Sequence, residues 1–237
     1  MKRVIIVGGT SGIGRALAEI YSEVGFAVGI TGRRENLLKE FCDKGKNRFF
    51  EVTDICDTGT LPEKLTNLAV AMGGVDILII SSGVGELNPM LAYDIEAISI
   101  DTNVSGFTAV ADWSYNYFAT CKKGHIVVIS SLGSLRGDNI APAYNASKAY
   151  QSNYADGLRK KAVKSGIPVY VTEIKPGFVD TQMAKGSGLF WIMPVDKVAR
   201  QIFNAVRRKR KVAIVTRRWT IVAFLLKSLP DFLYYKI

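Results

Sequence analysis

Cysteine and histidine are scarce in this chain of 237 residues. There are three of the first, Cys42, Cys56 and Cys121, and one of the second, His125. The cysteines are odd in number, widely spaced and form no CxxC pair. That excludes a disulfide-built mini-domain, and with a single histidine it leaves no plausible zinc site. The three read as reduced structural thiols of a cytosolic protein. Long apolar runs are also missing. None reaches the roughly 18 residues expected of a spanning helix, and the longest near the C-terminus, Val212 to Leu226, is split by Arg217 and Arg218. Met1-Lys2-Arg3 passes straight into a strand-like run, so no secretory signal is expected.

Acid is missing from one end. Residues 1–199 hold 21 Lys/Arg against 20 Asp/Glu, whereas residues 200–237 hold 10 against one, Asp231. The body is therefore nearly neutral, and almost all of the net +10 belongs to the tail. A basic total alone would suggest a nucleic-acid partner. A neutral body with a basic, apolar tail argues against one. The hydrophobic content of 48% excludes a disordered chain, and the length suits one α/β domain over residues 1–237.

What is present is an alternation of short β-branched runs and longer amphipathic segments. Strands are predicted at Val4–Val7, Ala27–Thr31, Arg48–Val52, Val75–Ile80, His125–Ser130, Val169–Ile174 and Val212–Val215. Helices are predicted at Arg15–Glu23, Asn36–Asp43, Leu61–Met72, Ala97–Phe118, Ala143–Ser165 and Asp196–Arg208. The strands lack an outward polar face, which marks a parallel sheet buried on both sides. Strand–helix alternation over the whole chain predicts a single-domain, doubly wound, three-layer sheet of the Rossmann type.

The first strand runs into Gly8-Gly9-Thr10-Ser11-Gly12-Ile13-Gly14 and then a helix. Glycines there let the backbone approach a pyrophosphate, and the helix start offers free N–H groups and a positive dipole end. The plain alternative is an ordinary glycine-rich turn. The second strand ends in Thr31-Gly32-Arg33-Arg34, with no acid before Glu35. NAD sites place a carboxylate here for the ribose 2′-hydroxyl, whereas two guanidiniums suit the 2′-phosphate of NADP(H).

Tyr144-Asn145-Ala146-Ser147-Lys148 opens a predicted helix, with Tyr144 and Lys148 on one face. An ammonium beside a phenol favours the phenolate, so Lys148 is expected to lower the Tyr144 pKa. Ser131 lies thirteen residues earlier, at the C-terminal end of a strand, where open α/β sheets hold their ligands. Taken singly, Tyr144 could be a packing residue and Ser131 a turn residue.

Here the sequence resembles the short-chain dehydrogenase/reductase family over nearly its whole length. Gly8, Gly12 and Gly14 match the family's TGxxxGxG motif, Tyr144 and Lys148 its YxxxK motif, and Ser131 its catalytic serine. Asn103 matches the helix asparagine of its catalytic tetrad, and Lys175-Pro176-Gly177-Phe178-Val179-Asp180-Thr181 its post-strand PG motif. The resemblance implies catalytic roles for Asn103, Ser131, Tyr144 and Lys148. It implies cofactor contacts from Gly8, Thr10, Ser11, Gly12, Ile13, Gly14, Arg33, Arg34, Glu51, Val52, Ser82 and Gly83. Further contacts are implied from Tyr144, Lys148, Pro176, Gly177, Val179 and Thr181. Three positions depart from the pattern. Val7 replaces a threonine, Glu51 an aspartate, and Ile80-Ser81-Ser82-Gly83 the NNAG motif. The implied activity is NADPH-dependent carbonyl reduction. Tyr144 would be the acid and Ser131 would polarise the carbonyl. Lys148 would bind the nicotinamide ribose, and Asn103 would hold a relay water.

The loop Gln182–Pro194 is the expected substrate lid. It carries Met183, Leu189, Phe190, Trp191, Ile192 and Met193, side chains that suit either an apolar pocket or the core. Gly83–Tyr93 is expected to form the opposite wall, with Glu86 and Lys185 as the charges in reach. A small or medium apolar ketone or aldehyde is the expected substrate. The tail 217–237 sets Trp219, Val222, Ala223, Leu226 and Leu229 at helical spacing beside Arg217 and Arg218. It fits either burial against the body or a second subunit, or contact with an anionic membrane surface. A homodimer or homotetramer in the cytoplasm is expected. Two rival readings are a membrane-surface reductase of lipid-like ketones and a non-catalytic NADP-binding regulator.

Overall fold

The computed structural model describes residues 1–183 and 190–236. Strand β1 (Arg3–Val7) leads through α1 (Gly12–Glu23) to β2 (Ala27–Gly32), and α2 (Glu35–Asp43) leads to β3 (Arg48–Val52). After α3 (Leu61–Ala71) and β4 (Ile77–Ile80) comes a long helical run. It comprises α4 (Tyr93–Ile100), a π-helical stretch at Asp101–Gly106, and α5 (Phe107–Thr120). Then follow β5 (Gly124–Ile129), a 3-10 turn at Leu132–Leu135, α6 (Pro142–Ser165) and β6 (Val169–Pro176). The chain closes with α7 (Val195–Arg207), β7 (Val212–Val215), α8 (Trp219–Ser228) and α9 (Asp231–Tyr234).

The strands form one parallel sheet in the order β3-β2-β1-β4-β5-β6-β7. β1 sits between β2 and β4, with Val7 opposite Thr31 on one side and Ile80 on the other. The winding reverses there, so the crevice beyond the C-terminal ends of β1 and β4 is where such a sheet takes a ligand. Alternate residues of β1 serve two cores. Ile5 and Val7 pack with Leu65, Phe107 and Phe118, and Val4 and Ile6 pack with Leu17, Tyr21 and Ile202. Both faces being buried is the reason these strands carry no polar alternation.

Several expected boundaries move by one to four residues. The fourth strand begins at Ile77 rather than Val75, with the Asp76 carboxylate accepting from the backbone N–H of Arg3 just before it. The helix expected over Ala97–Phe118 runs from Tyr93 to Thr120 and widens to a π-helix in its middle.

Candidate active site

The loop after β1 is shaped by glycine. Gly8 has φ +86°, and a Cβ there would stand 2.6 Å from the Ser82 backbone nitrogen. A Cβ on Gly14 would stand 2.1 Å from the Gly8 carbonyl, so this glycine brings α1 against the strand. Ser11 precedes α1 without capping it through its side chain. Its hydroxyl and that of Thr10 instead accept from Arg34 Nη2 at 2.8 and 2.7 Å. Arg33 reaches out to Asp54 at 3.6 Å.

A cleft of about 1560 Å³ runs from this loop along the C-terminal edge of the sheet. Of the expected cofactor residues, Gly8, Thr10, Ser11, Gly12, Ile13, Arg33, Arg34, Ser82, Gly83, Tyr144, Lys148, Pro176, Gly177, Val179 and Thr181 line it. Gly14, packed against the Gly8 carbonyl, does not, and neither do Glu51 and Val52. These last two lie inside β3, and the cleft is lined instead by Thr53, Asp54 and Ile55 just past the strand end. Thr31 Oγ1 and Ser82 Oγ are buried without a hydrogen-bond partner, and both residues line the cleft. Orphaned hydroxyls beside a glycine cradle and a guanidinium suit a phosphorylated dinucleotide.

Farther along, Ser131 lies two residues past the end of β5 and caps the 3-10 turn, where its Oγ accepts from Gly133 N at 3.0 Å. Tyr144 hydrogen-bonds to Ser131. A Cβ on Gly85 would fall 2.6 Å from the Tyr144 ring, so a side chain there would displace the tyrosine. Lys148 is buried, with Nζ 5.8 Å from the Tyr144 ring centre. It donates to the Ile129 carbonyl at 3.2 Å and to Gln151 Oε1 at 3.0 Å. Burial pulls Lys148 down to about 8. Burial also raises Tyr144, and the Ser131 hydrogen bond only partly opposes this. The expected lowering of Tyr144 by Lys148 is therefore not seen in the free protein, where desolvation sets the direction of the shift.

Asn103 is 0% exposed and lies outside the cleft lining. Its amide pairs with the backbone of Val84, accepting from N at 2.9 Å and donating to O at 2.7 Å. It also donates to Ser147 Oγ at 3.0 Å. The π-helical stretch turns the Asn103 carbonyl off the normal helical ladder, and Gln151 Nε2 donates to it at 2.9 Å. The Gln151 side chain thus spans from that carbonyl to Lys148.

Residues 2–189 match the family model described as short chain dehydrogenase. The chain belongs to the short-chain dehydrogenase family. It is 27% identical over 263 residues to dehydrogenase/reductase SDR family member 7B of Xenopus laevis, covering 99% of this chain and 80% of that one. Among solved structures it is similar to serine dehydrogenase from Escherichia coli, at 27% identity and TM-score 0.70, with 74% and 82% of the two chains covered. A short-chain dehydrogenase/reductase from Burkholderia phymatum in complex with NAD shares the fold, with TM-score 0.86 at 20% identity and 94% and 92% coverage. The protein is thus an oxidoreductase of this family with an NAD(P)-binding Rossmann fold.

This dehydrogenase closes its cleft with residues that follow the matched region. Trp219, Leu226 and Tyr234 line the cleft from α8 and α9. The Trp219 indole lies flat on Gly177, where a Cβ would meet the ring at 2.2 Å. Phe178, Phe190 and Trp191 pack around it at 5.3, 5.0 and 6.0 Å between ring centres. Arg136 binds Asp231 at 2.7 Å and stacks 4.2 Å from the Tyr234 ring, fastening α9 to the loop after Ser131. Sequence reasoning read 219, 223 and 226 as one helical face without placing it over the site. The signal for that placement, contact with Gly177, exists only in three dimensions. Of the expected lid, Gln182 and Met183 line the cleft, while Phe190 joins the Trp219 cluster and Met193 pairs with Val179. Lys185 and Leu189 lie outside the described residues. On the opposite wall, Gly83 to Leu87, including Glu86, line the cleft.

Proposed function

We propose that this dehydrogenase reduces small or medium apolar ketones and aldehydes with NADPH. The observation that carries the reading is the meeting of Ser131, Tyr144 and buried Lys148 on one floor of the cleft. Arg34, already laid along Thr10 and Ser11, and Arg33 beside it would hold the 2′-phosphate. The nicotinamide, when bound, supplies the hydride for the carbonyl carbon. Tyr144 Oη delivers its proton to the carbonyl oxygen, and Ser131 Oγ donates a hydrogen bond to the same atom. Desolvation holds Tyr144 in the protonated form that a reductive donor needs. The Lys148 ammonium stabilises the phenolate left behind. Val84, Leu87, Ile140 and Met183 offer the carbonyl an apolar surround.

A regulator that merely bound the nucleotide would gain nothing from burying an ammonium beside Tyr144, a placement that costs desolvation energy. The test is NADPH oxidation over ketones and aldehydes of graded chain length, with NADH as control. Tyr144→Phe is expected to lower ketone reduction about 100-fold or more, the usual worth of a positioned proton donor. Near-normal turnover in that variant overturns the assignment of the acid. A clear preference for NADH overturns the role given to Arg33 and Arg34.

A further inference from the structure

The C-terminal segment has an outward face as well as the inward one that roofs the cleft. On α8, Trp219, Ala223 and Leu226 face the body, while Ile221, Phe224 and Leu225 form an exposed stripe at i, i+3, i+4. Phe224 is 68% exposed, and Phe232 and Tyr235 extend the apolar surface past α8. Arg217, Arg218, Lys227 and Lys236 are exposed in the same stretch. Its one acid, Asp231, is engaged by Arg136. Apolar and aromatic side chains interleaved with unopposed cations mark an interaction surface.

We propose that α8 and α9 dock on an anionic lipid surface with the mouth of the cleft beside it, so that apolar carbonyl substrates enter from the lipid. The choice of substrate rests on the reductase reading above, whereas the docking does not. Charge decides between lipid and a second copy of the chain. A two-fold contact through this face would bring one patch carrying Arg217, Arg218, Lys227 and Lys236 against another of the same charge. Anionic headgroups complement all four. No helix among the described residues is long and apolar enough to cross a membrane, so the contact is with the surface. The other basic cluster, Arg207 to Lys211, precedes β7 and so lies at the opposite edge of the parallel sheet. It has no part in the docking and supplies the control.

The experiment is co-sedimentation of the full chain with vesicles of phosphatidylcholine, alone or mixed with phosphatidylserine. Three proteins are compared: the unaltered chain, Phe224→Ser/Leu225→Ser, and Arg208→Gln/Arg210→Gln. Sedimentation velocity reports their oligomeric state. The unaltered chain is expected to bind the mixed vesicles and release them at high salt. The Phe224/Leu225 variant should lose about tenfold in affinity, and the Arg208/Arg210 variant less than about twofold. A membrane-embedded quencher should dim the exposed Trp191 in the bound state. The proposal is overturned if the unaltered chain ignores the mixed vesicles, or if the Arg208/Arg210 variant is the one that loses binding. It is equally overturned if the Phe224/Leu225 variant changes oligomeric state instead, which would mean that a second copy covers this face. NADPH oxidation with a water-soluble ketone should match in all three proteins. Its failure in all three would count against the reductase reading and leave the vesicle result standing.

Discussion

At the scale of single residues, the side chain that most distinguishes this site is Gln151. It is 1% exposed and uses both ends of its amide, one on the Asn103 carbonyl and one on Lys148 Nζ. It thereby fixes the ammonium with no charge of its own. Lys148 is moved to about 8 by burial alone, and Tyr144 is the titratable side chain whose ring it faces. The kcat/KM for carbonyl reduction should therefore fall as pH rises through about 8, since this ratio reports the free enzyme's groups. Gln151→Leu removes the acceptor from the ammonium and orphans a buried carbonyl, so kcat should drop about tenfold and the alkaline limb move to lower pH. Gln151→Glu places a carboxylate against the ammonium, so the limb should move to higher pH. A pH–rate series settles the matter. If both variants keep the limb of the unaltered protein, Gln151 has no hold on Lys148. Nothing in YxxxK spacing announces this residue. It follows Lys148 by three positions, and its reach to Asn103 depends on the π-helical stretch.

At the scale of elements, the turn that follows Ser131 is held by a buried ion pair on the neighbouring strand. Glu173 and Lys175, both on β6, stand 2.6 Å apart with side chains almost fully buried. Lys175 Nζ also donates to Ser134 Oγ and Ser152 Oγ, both at 2.6 Å, tying the 3-10 turn after Ser131 to α6. Burial pushes Glu173 up, but the bonds from Lys175, Ser152 and Ser130 outweigh it and leave the carboxyl below its usual range. Lys175→Met strands that carboxylate with only the more distant Arg159, 3.8 Å away, as a countercharge, a loss of up to about 3–5 kcal/mol. Adding Glu173→Leu removes the stranded charge and should recover much of the loss. Urea unfolding of the single and double variants tests this. A double variant as unstable as the single one would show that the two charges do not depend on each other.

The same elements show what a sequence can and cannot reveal. The strands were legible because double-sided burial leaves Ile77–Ile80 and Ile126–Ile129 without polar alternation. That Ser131, Tyr144 and Lys148 come together on the cleft was legible because it depends on a strand end and one helical turn, which are local spacings. Glu51 and Val52 were expected beside the cofactor, whereas the cleft lining begins at Thr53, because the register of β3 against the cleft depends on where the strand stops. The π-helical stretch was not anticipated, although Asp101-Thr102-Asn103-Val104-Ser105-Gly106 are all weak helix formers.

At the scale of the whole molecule, the parallel sheet divides a charge that looked continuous along the chain. Arg207 to Lys211 sit at the N-terminal edge of the sheet, and Arg217 and Arg218 at the C-terminal edge, separated only by β7. His125, at the start of β5, lies at the first of these edges with Nε2 2.8 Å from Thr172 Oγ1. Burial, helped by the Lys209 charge, depresses it to about 4. The folded protein thus refuses a proton that the unfolded chain accepts below pH 6.5. Between pH 6.5 and 4 the unfolded state binds more protons, so stability falls as pH falls across that window. The full effect is about 3 kcal/mol, of which about 2 kcal/mol should be lost between pH 7 and pH 5. His125→Gln cannot take up a proton. It should start less stable at pH 7, having lost its fit to Thr172, and then change little down to pH 5. Urea unfolding of both proteins at the two pH values measures the difference. An equal loss in the variant would move the origin of acid sensitivity away from His125 and toward the carboxylates.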